Sequence, residues 1–118
     1  MKVDTKSRLA ALRGRMRETG AGLVAVAPGS HMDWLLGYHP HPDERACLLL
    51  VGPEKEAFLM PALNADGTRE HTDIAFHNWS DDQGPDAALA AALQAAGAAD
   101  ARTVVLDETM RADFALLV

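Results

Sequence analysis

The chain has 118 residues, 48% of them hydrophobic and 24% charged, with a formal net charge of -6. That balance excludes a disordered chain, and a single cysteine, Cys47, excludes an intramolecular disulfide framework. No apolar run approaches the ~20 residues that span a bilayer and Met1 to Thr5 has no apolar signal core, so a cytoplasmic protein with no membrane partner is expected.

In chain order, Leu9, Leu12 and Met16 recur at helical spacing, which predicts an amphipathic helix over 6–19 with Asp4 or Thr5 as N-cap and Gly20 as its stop. This segment is basic. Lys2, Lys6, Arg8, Arg13, Arg15 and Arg17 against Asp4 and Glu18 give residues 1–20 a charge of +4, leaving -10 of the total -6 for the rest. A basic helix on so acidic a body reads as a solvated face, and no nucleic-acid partner is expected. Residues 22–27 run apolar without alternation, as in a strand covered on both faces. Pro28-Gly29 breaks that run, Ser30 is a candidate cap, and His31 to Leu36 forms a short helix closed by Gly37.

Ala46 to Val51 and Ala57 to Met60 read as buried strands, joined by a short polar link that implies an antiparallel hairpin. Cys47 falls inside the first of them and reads as a small buried hydrophobe. Pro61 suits the first turn of a short helix ending at Asp66-Gly67, and Ile74 to His77 is the next strand candidate. Gly84-Pro85 opens a helix over 86–96, with Leu89 and Leu93 on one face and Gly97 as its stop. Thr103 to Leu106 is β-branched and apolar, hence a buried strand, and Met110 to Val118 begins a last helix. Helices and strands alternate except at the hairpin. The economical architecture is an α/β domain of three layers, α/β/α, around a mixed sheet of about five strands.

The segment 37–45, between the short helix and the second strand, carries His39-Pro40-His41-Pro42-Asp43-Glu44-Arg45. Such a loop is held by the scaffold and offered to something outside it. His39-x-His41 supplies two potential metal ligands, but two ligands do not make a site, and the pair reads as exposed loop histidines. His71 and His77 stand alone, as hydrogen-bonded structural residues. Ser30, His31 and Asp33 sit too close on one turn to form a nucleophile-base-orienter line. Pro28-Gly29-Ser30 lacks the spacing of a phosphate-binding loop.

Several stretches match one family pattern in order: Arg8-Leu9-x-x-Leu12 with Met16, Gly22-Leu23-x-Ala25-Val26, and Pro28 to Gly37 in place of "S-P-x-N-x-x-Y-L-T-G". They continue with Glu44-Arg45 leading into Leu48 to Val51, Phe58 to Leu63, Trp79-x-Asp81, and Val104 to Asp107 with Met110. In these the chain resembles the N-terminal domain of the creatinase/prolidase/aminopeptidase P metallopeptidases over nearly all its length. His31, Trp34 and Leu36 depart from the family's usual Asn, Tyr and Thr.

The resemblance implies a ribonuclease H-like topology, with residues 1–118 as one N-terminal domain cut from a longer chain whose catalytic half is absent. It implies no catalytic residue and no metal ligand here. Two divalent ions (Mn, Co or Zn) are expected in the missing catalytic domain, with that domain, a second copy in a homodimer and a proline-containing peptide substrate as partners. The family's N-terminal domain serves oligomerisation and closes the active-site entrance. Arg45 is the first residue implied to meet a substrate carboxylate, His39 the second, with His41 and Glu44 on the same gating loop. The expected function is a non-catalytic gating and oligomerisation domain of a metal-dependent Xaa-Pro aminopeptidase or dipeptidase. The alternatives are a creatinase-like hydrolase of another small substrate, or a free-standing binding or assembly module.

Overall fold

A computed structural model describes residues 3–118; Met1 and Lys2, the latter counted above in the basic segment, lie outside them. Helix α1, Thr5–Thr19, starts where the Asp4 carboxylate accepts hydrogen bonds from the Ser7 backbone N–H and hydroxyl. Those bonds hold the Asp4 carboxyl below its usual range. The helix ends at Gly20, whose φ of 74° is left-handed and whose N–H reaches the Met16 carbonyl. Strand β1, Leu23–Val26, follows, then helix α2, Ser30–Leu36. Ser30 is the first residue of α2 and not its cap: Gly29 holds the cap position and no side chain bonds the helix start.

Strands β2, Leu48–Val51, and β3, Glu56–Pro61, form the expected antiparallel hairpin, in register from Leu48↔Leu59 to Val51↔Glu56. Helix α3, Ala62–Arg69, runs through Asp66-Gly67 instead of stopping there. Burying Ala65 and Thr68, with the Thr68 hydroxyl donating to the Asn64 carbonyl at 2.9 Å, outweighs the ~1 kcal/mol cost of one helical glycine. Strand β4, Phe76–Trp79, begins two residues later than the sequence suggests and pairs parallel with β3 from Phe58↔Phe76 to Pro61↔Trp79. Phe58 and Phe76 meet edge to face, centroids 5.6 Å apart, which sets that register. Helix α4, Asp86–Ala95, strand β5, Val104–Leu106, and helix α5, Ala112–Leu117, complete the chain.

The sheet order is β4-β3-β2-β1-β5, antiparallel at β3-β2 and β2-β1 and parallel at both flanks. Alternation divides the core in two. Leu49, Val51, Phe58 and Met60 face α1, α2 and α3, while Leu48, Leu50, Ala57 and Leu59 face α4 and α5. The three layers expected from the sequence are therefore present, with continuous apolar burial in β2 and β3 because helices cover both faces. Strand β5 is the exception. Expected to be buried, it is an edge strand whose Val104, Val105 and Leu106 are 39%, 43% and 38% exposed.

Candidate functional site

The topology gathers the chain's polar loops at one end of the sheet. The register places the C-terminal ends of β1, β3, β4 and β5 beside the start of β2. Crevices at the carboxyl ends of strands are the usual place for a site in α/β sheets. The loop 37–45, the turn after β4 and the segment after β5 all leave from that end.

The loop is fastened at both ends. Gly37 turns it out of α2 with φ 76° while its N–H closes on the Asp33 carbonyl at 2.7 Å. Tyr38 then stacks flat on His71, rings 3.8 Å apart and 4° from parallel, and Pro40 is buried. At the far end the buried Trp79 indole N–H donates to the Ala46 carbonyl at 2.9 Å, tying the residue after Arg45 to the end of β4.

Arg45 is held as a fork. Its Nε donates to Asp81 Oδ1 at 3.0 Å and its Nη2 to Asp81 Oδ2 at 2.9 Å, the bidentate geometry a guanidinium favours. Nη1 lies 3.7 Å from both Asp43 and Glu44, and the Arg45 backbone N–H donates to Asp43 Oδ1 at 2.8 Å. The hydrogen bonds to Asp81 raise the Arg45 pKa and hold the Asp81 carboxyl below its usual range. Arg111, paired with Asp113 and subject to the fields of Glu44 and Asp43, extends the charged rim along the same end.

The four loop residues named from the sequence do not converge. His39 Nδ1 lies 2.7 Å from Asp33 Oδ1, back on α2, while His41 and Glu44 are exposed. His71 is a stacking partner of Tyr38 and not a hydrogen-bonded residue of the kind expected. Cys47 is buried, and loss of solvation pushes its thiol up to about 12, so it is an inert packing residue. Among the described residues, no three His, Cys, Asp or Glu side chains come together to hold a metal ion. These residues do not fit a dinuclear centre.

The sequence carries one signal for Asp81, the partner of Arg45: its place in the Trp79-x-Asp81 pattern.

The elements define a three-layer α/β/α domain with a charged loop at one sheet end. The chain belongs to the Creatinase/Prolidase N-terminal domain family, whose model matches residues 8–116. Its fold is similar to that of a dipeptidase from Pyrococcus horikoshii OT3, at 28% identity and TM-score 0.80, over 93% of this chain and 30% of that one. It is also similar to the creatinase/prolidase N-terminal domain of an X-Pro dipeptidase from Streptococcus pyogenes, at 18% identity and TM-score 0.83, over 94% of this chain and 84% of that one. A third likeness is to the N-terminal domain of a Xaa-Pro dipeptidase from Lactobacillus brevis, at 17% identity and TM-score 0.80, over 93% and 84% of the two chains. The chain thus spans about a third of the length of the archaeal dipeptidase. No curated protein matches the sequence. Among the described residues no helix is long and apolar enough to cross a membrane.

Proposed function

We propose that this chain is the N-terminal, non-catalytic part of a metal-dependent Xaa-Pro dipeptidase or aminopeptidase, and that it gates substrate through the loop 37–45. The observation that carries the reading is the family match over residues 8–116, supported by the likeness to a dipeptidase at 28% identity. In this reading the two divalent ions and the water they activate belong to the catalytic half, which acts on proline-containing peptides, and assembly of that enzyme includes a homodimer.

Arg45 is the gating residue of first rank because a planar guanidinium pairs directionally with a carboxylate, and this one stands at the sheet end held from behind by Asp81. His39, His41 and Glu44 lie on the same loop without converging on Arg45, and in this reading they are secondary contacts for a peptide. The test is Arg45→Ala in the longer protein that carries this domain. Loss of one directional charge-assisted contact lowers kcat/KM for a Xaa-Pro dipeptide by about tenfold while the domain stays folded. An unchanged kcat/KM removes Arg45 from the proposal.

A further inference from the structure

We infer that the cleft between α1, the start of β3 and the segment 71–74 is a binding site for a free α-amino acid with an apolar side chain. The inference is independent of the peptidase reading. The cleft has a volume of about 710 Å³, inside the ~300–1,000 Å³ range of small-molecule sites. Its charged lining residues among those described are Lys6 and Arg13 against Glu56 and Asp73, with the exposed His71 beside them. A lining balanced in this way favours neither a simple anion nor a simple cation and suits a molecule that carries both charges.

The two signs meet at one point. Arg13 donates from Nε to the Gly52 carbonyl at 3.0 Å and from Nη2 to Glu56 Oε1 at 3.0 Å, and the Arg13 and Glu56 side chains are only 14% and 27% exposed. Those bonds fix the guanidinium plane and leave Arg13 Nη1 and Glu56 Oε2 without a hydrogen-bond partner among the described residues. An α-amino acid carries its carboxylate and its ammonium on the same carbon. It can therefore meet both members of this pair at once, carboxylate on Nη1 and ammonium on Oε2, each through a charge-assisted hydrogen bond in a partly desolvated setting.

The rest of the wall selects the side chain. Leu9 and Leu36 are buried and Ile74 is half-buried, so the cleft offers an apolar floor beside the ion pair, and affinity rises with the apolar area the ligand covers there. Gly37 also lines the cleft, and His71 is the stacking partner of Tyr38. An occupant thus lies against two of the residues that fix the start of the loop 37–45.

The test is an amide-resolved NMR titration of the 118-residue chain with L-leucine at neutral pH. The expected result is saturable shifts of the Gly37, Glu56, His71 and Ile74 amides with a Kd of ~1 mM or tighter. Leucinamide, which lacks the carboxylate, and N-acetyl-leucine, which lacks the ammonium, each bind about tenfold more weakly, and alanine, which lacks most of the side chain, loses a similar factor. Glu56→Gln removes the partner of the ammonium, so it weakens leucine by about tenfold and leaves N-acetyl-leucine no weaker. The ligand analogues leave the chain untouched, so their ranking stands whatever the substitution does to the fold. No saturable shift at ~10 mM leucine overturns the inference. Equal affinity for leucine, leucinamide and N-acetyl-leucine overturns it as well, because the cleft would then recognise only apolar surface.

Discussion

Trp79→Phe isolates what holds the loop 37–45. The indole N–H is the donor to the Ala46 carbonyl at 2.9 Å, and Trp79 is 8% exposed. Phenylalanine keeps an aromatic ring but deletes the donor, leaving a carbonyl in a dry setting at a cost of about 1–3 kcal/mol. The missing second ring leaves a void against the Leu48, Leu59 and Leu89 cluster, which adds about 1 kcal/mol after partial collapse. The sum is about 3 kcal/mol, a large part of the ~5–15 kcal/mol that stabilises a domain. For a chain of this size it lowers Tm by ~10 °C. Urea unfolding followed by far-UV circular dichroism measures it as a lower midpoint at unchanged slope. A loss below ~1 kcal/mol refutes the reasoning, because the Ala46 carbonyl would then have found water and Trp79 would not be the brace of the loop.

Two further predictions concern the same framework. At Gly52 an added Cβ would lie 1.9 Å from the Ala96 carbonyl oxygen, where 3.4–4 Å is ordinary contact, so Gly52→Ala forces the β2-β3 turn and the end of α4 apart. Because both sides are backbone, the cost reaches about 3 kcal/mol in urea unfolding, and a loss below ~1 kcal/mol would show that the turn yields freely. For Asp81→Asn, the sign follows from a native carboxyl held below its unfolded value by Arg45: the stabilisation is full above the unfolded pKa of 3.8 and fades as pH falls through the depressed native value. The stability difference between the parent and Asp81→Asn chains therefore narrows from pH 7 to pH 3. A difference independent of pH over that range removes Asp81 as an ionised partner of Arg45.

What was legible in the sequence was local. Helix α1 announced itself through Asp4, Gly20 and a leucine-methionine stripe, and the β2-β3 hairpin through two apolar runs with a short polar link, since neighbours in sequence settle both. Gly67 misled because packing of Ala65 and Thr68 against the sheet decides where α3 ends, and no local signal reports it. The exposure of β5 was illegible for the same reason: Thr103 to Leu106 has the composition of a central strand, and only the sheet order makes it an edge. The loop was legible as a loop from its prolines and charges. Its principal contact was not, because Arg45 and Asp81 stand 36 residues apart and meet only through the parallel pairing of β3 with β4.

That pairing bears on how a gating loop of this kind would act. Arg45 is already neutralised by a bidentate carboxylate, so a substrate carboxylate that reaches it gains only the difference between two similar ion pairs, each partly exposed to water. Large affinity cannot come from such an exchange. What Asp81, Asp43 and the Trp79 brace supply is a guanidinium whose plane is fixed before a peptide arrives, so the entropy of ordering a long side chain is spent during folding and not during binding. In the proposed gating role, an arginine held in this way would orient a substrate more than retain one. Loosening the holder, without touching Arg45, would then lower the rate of productive turnover more than it raises KM.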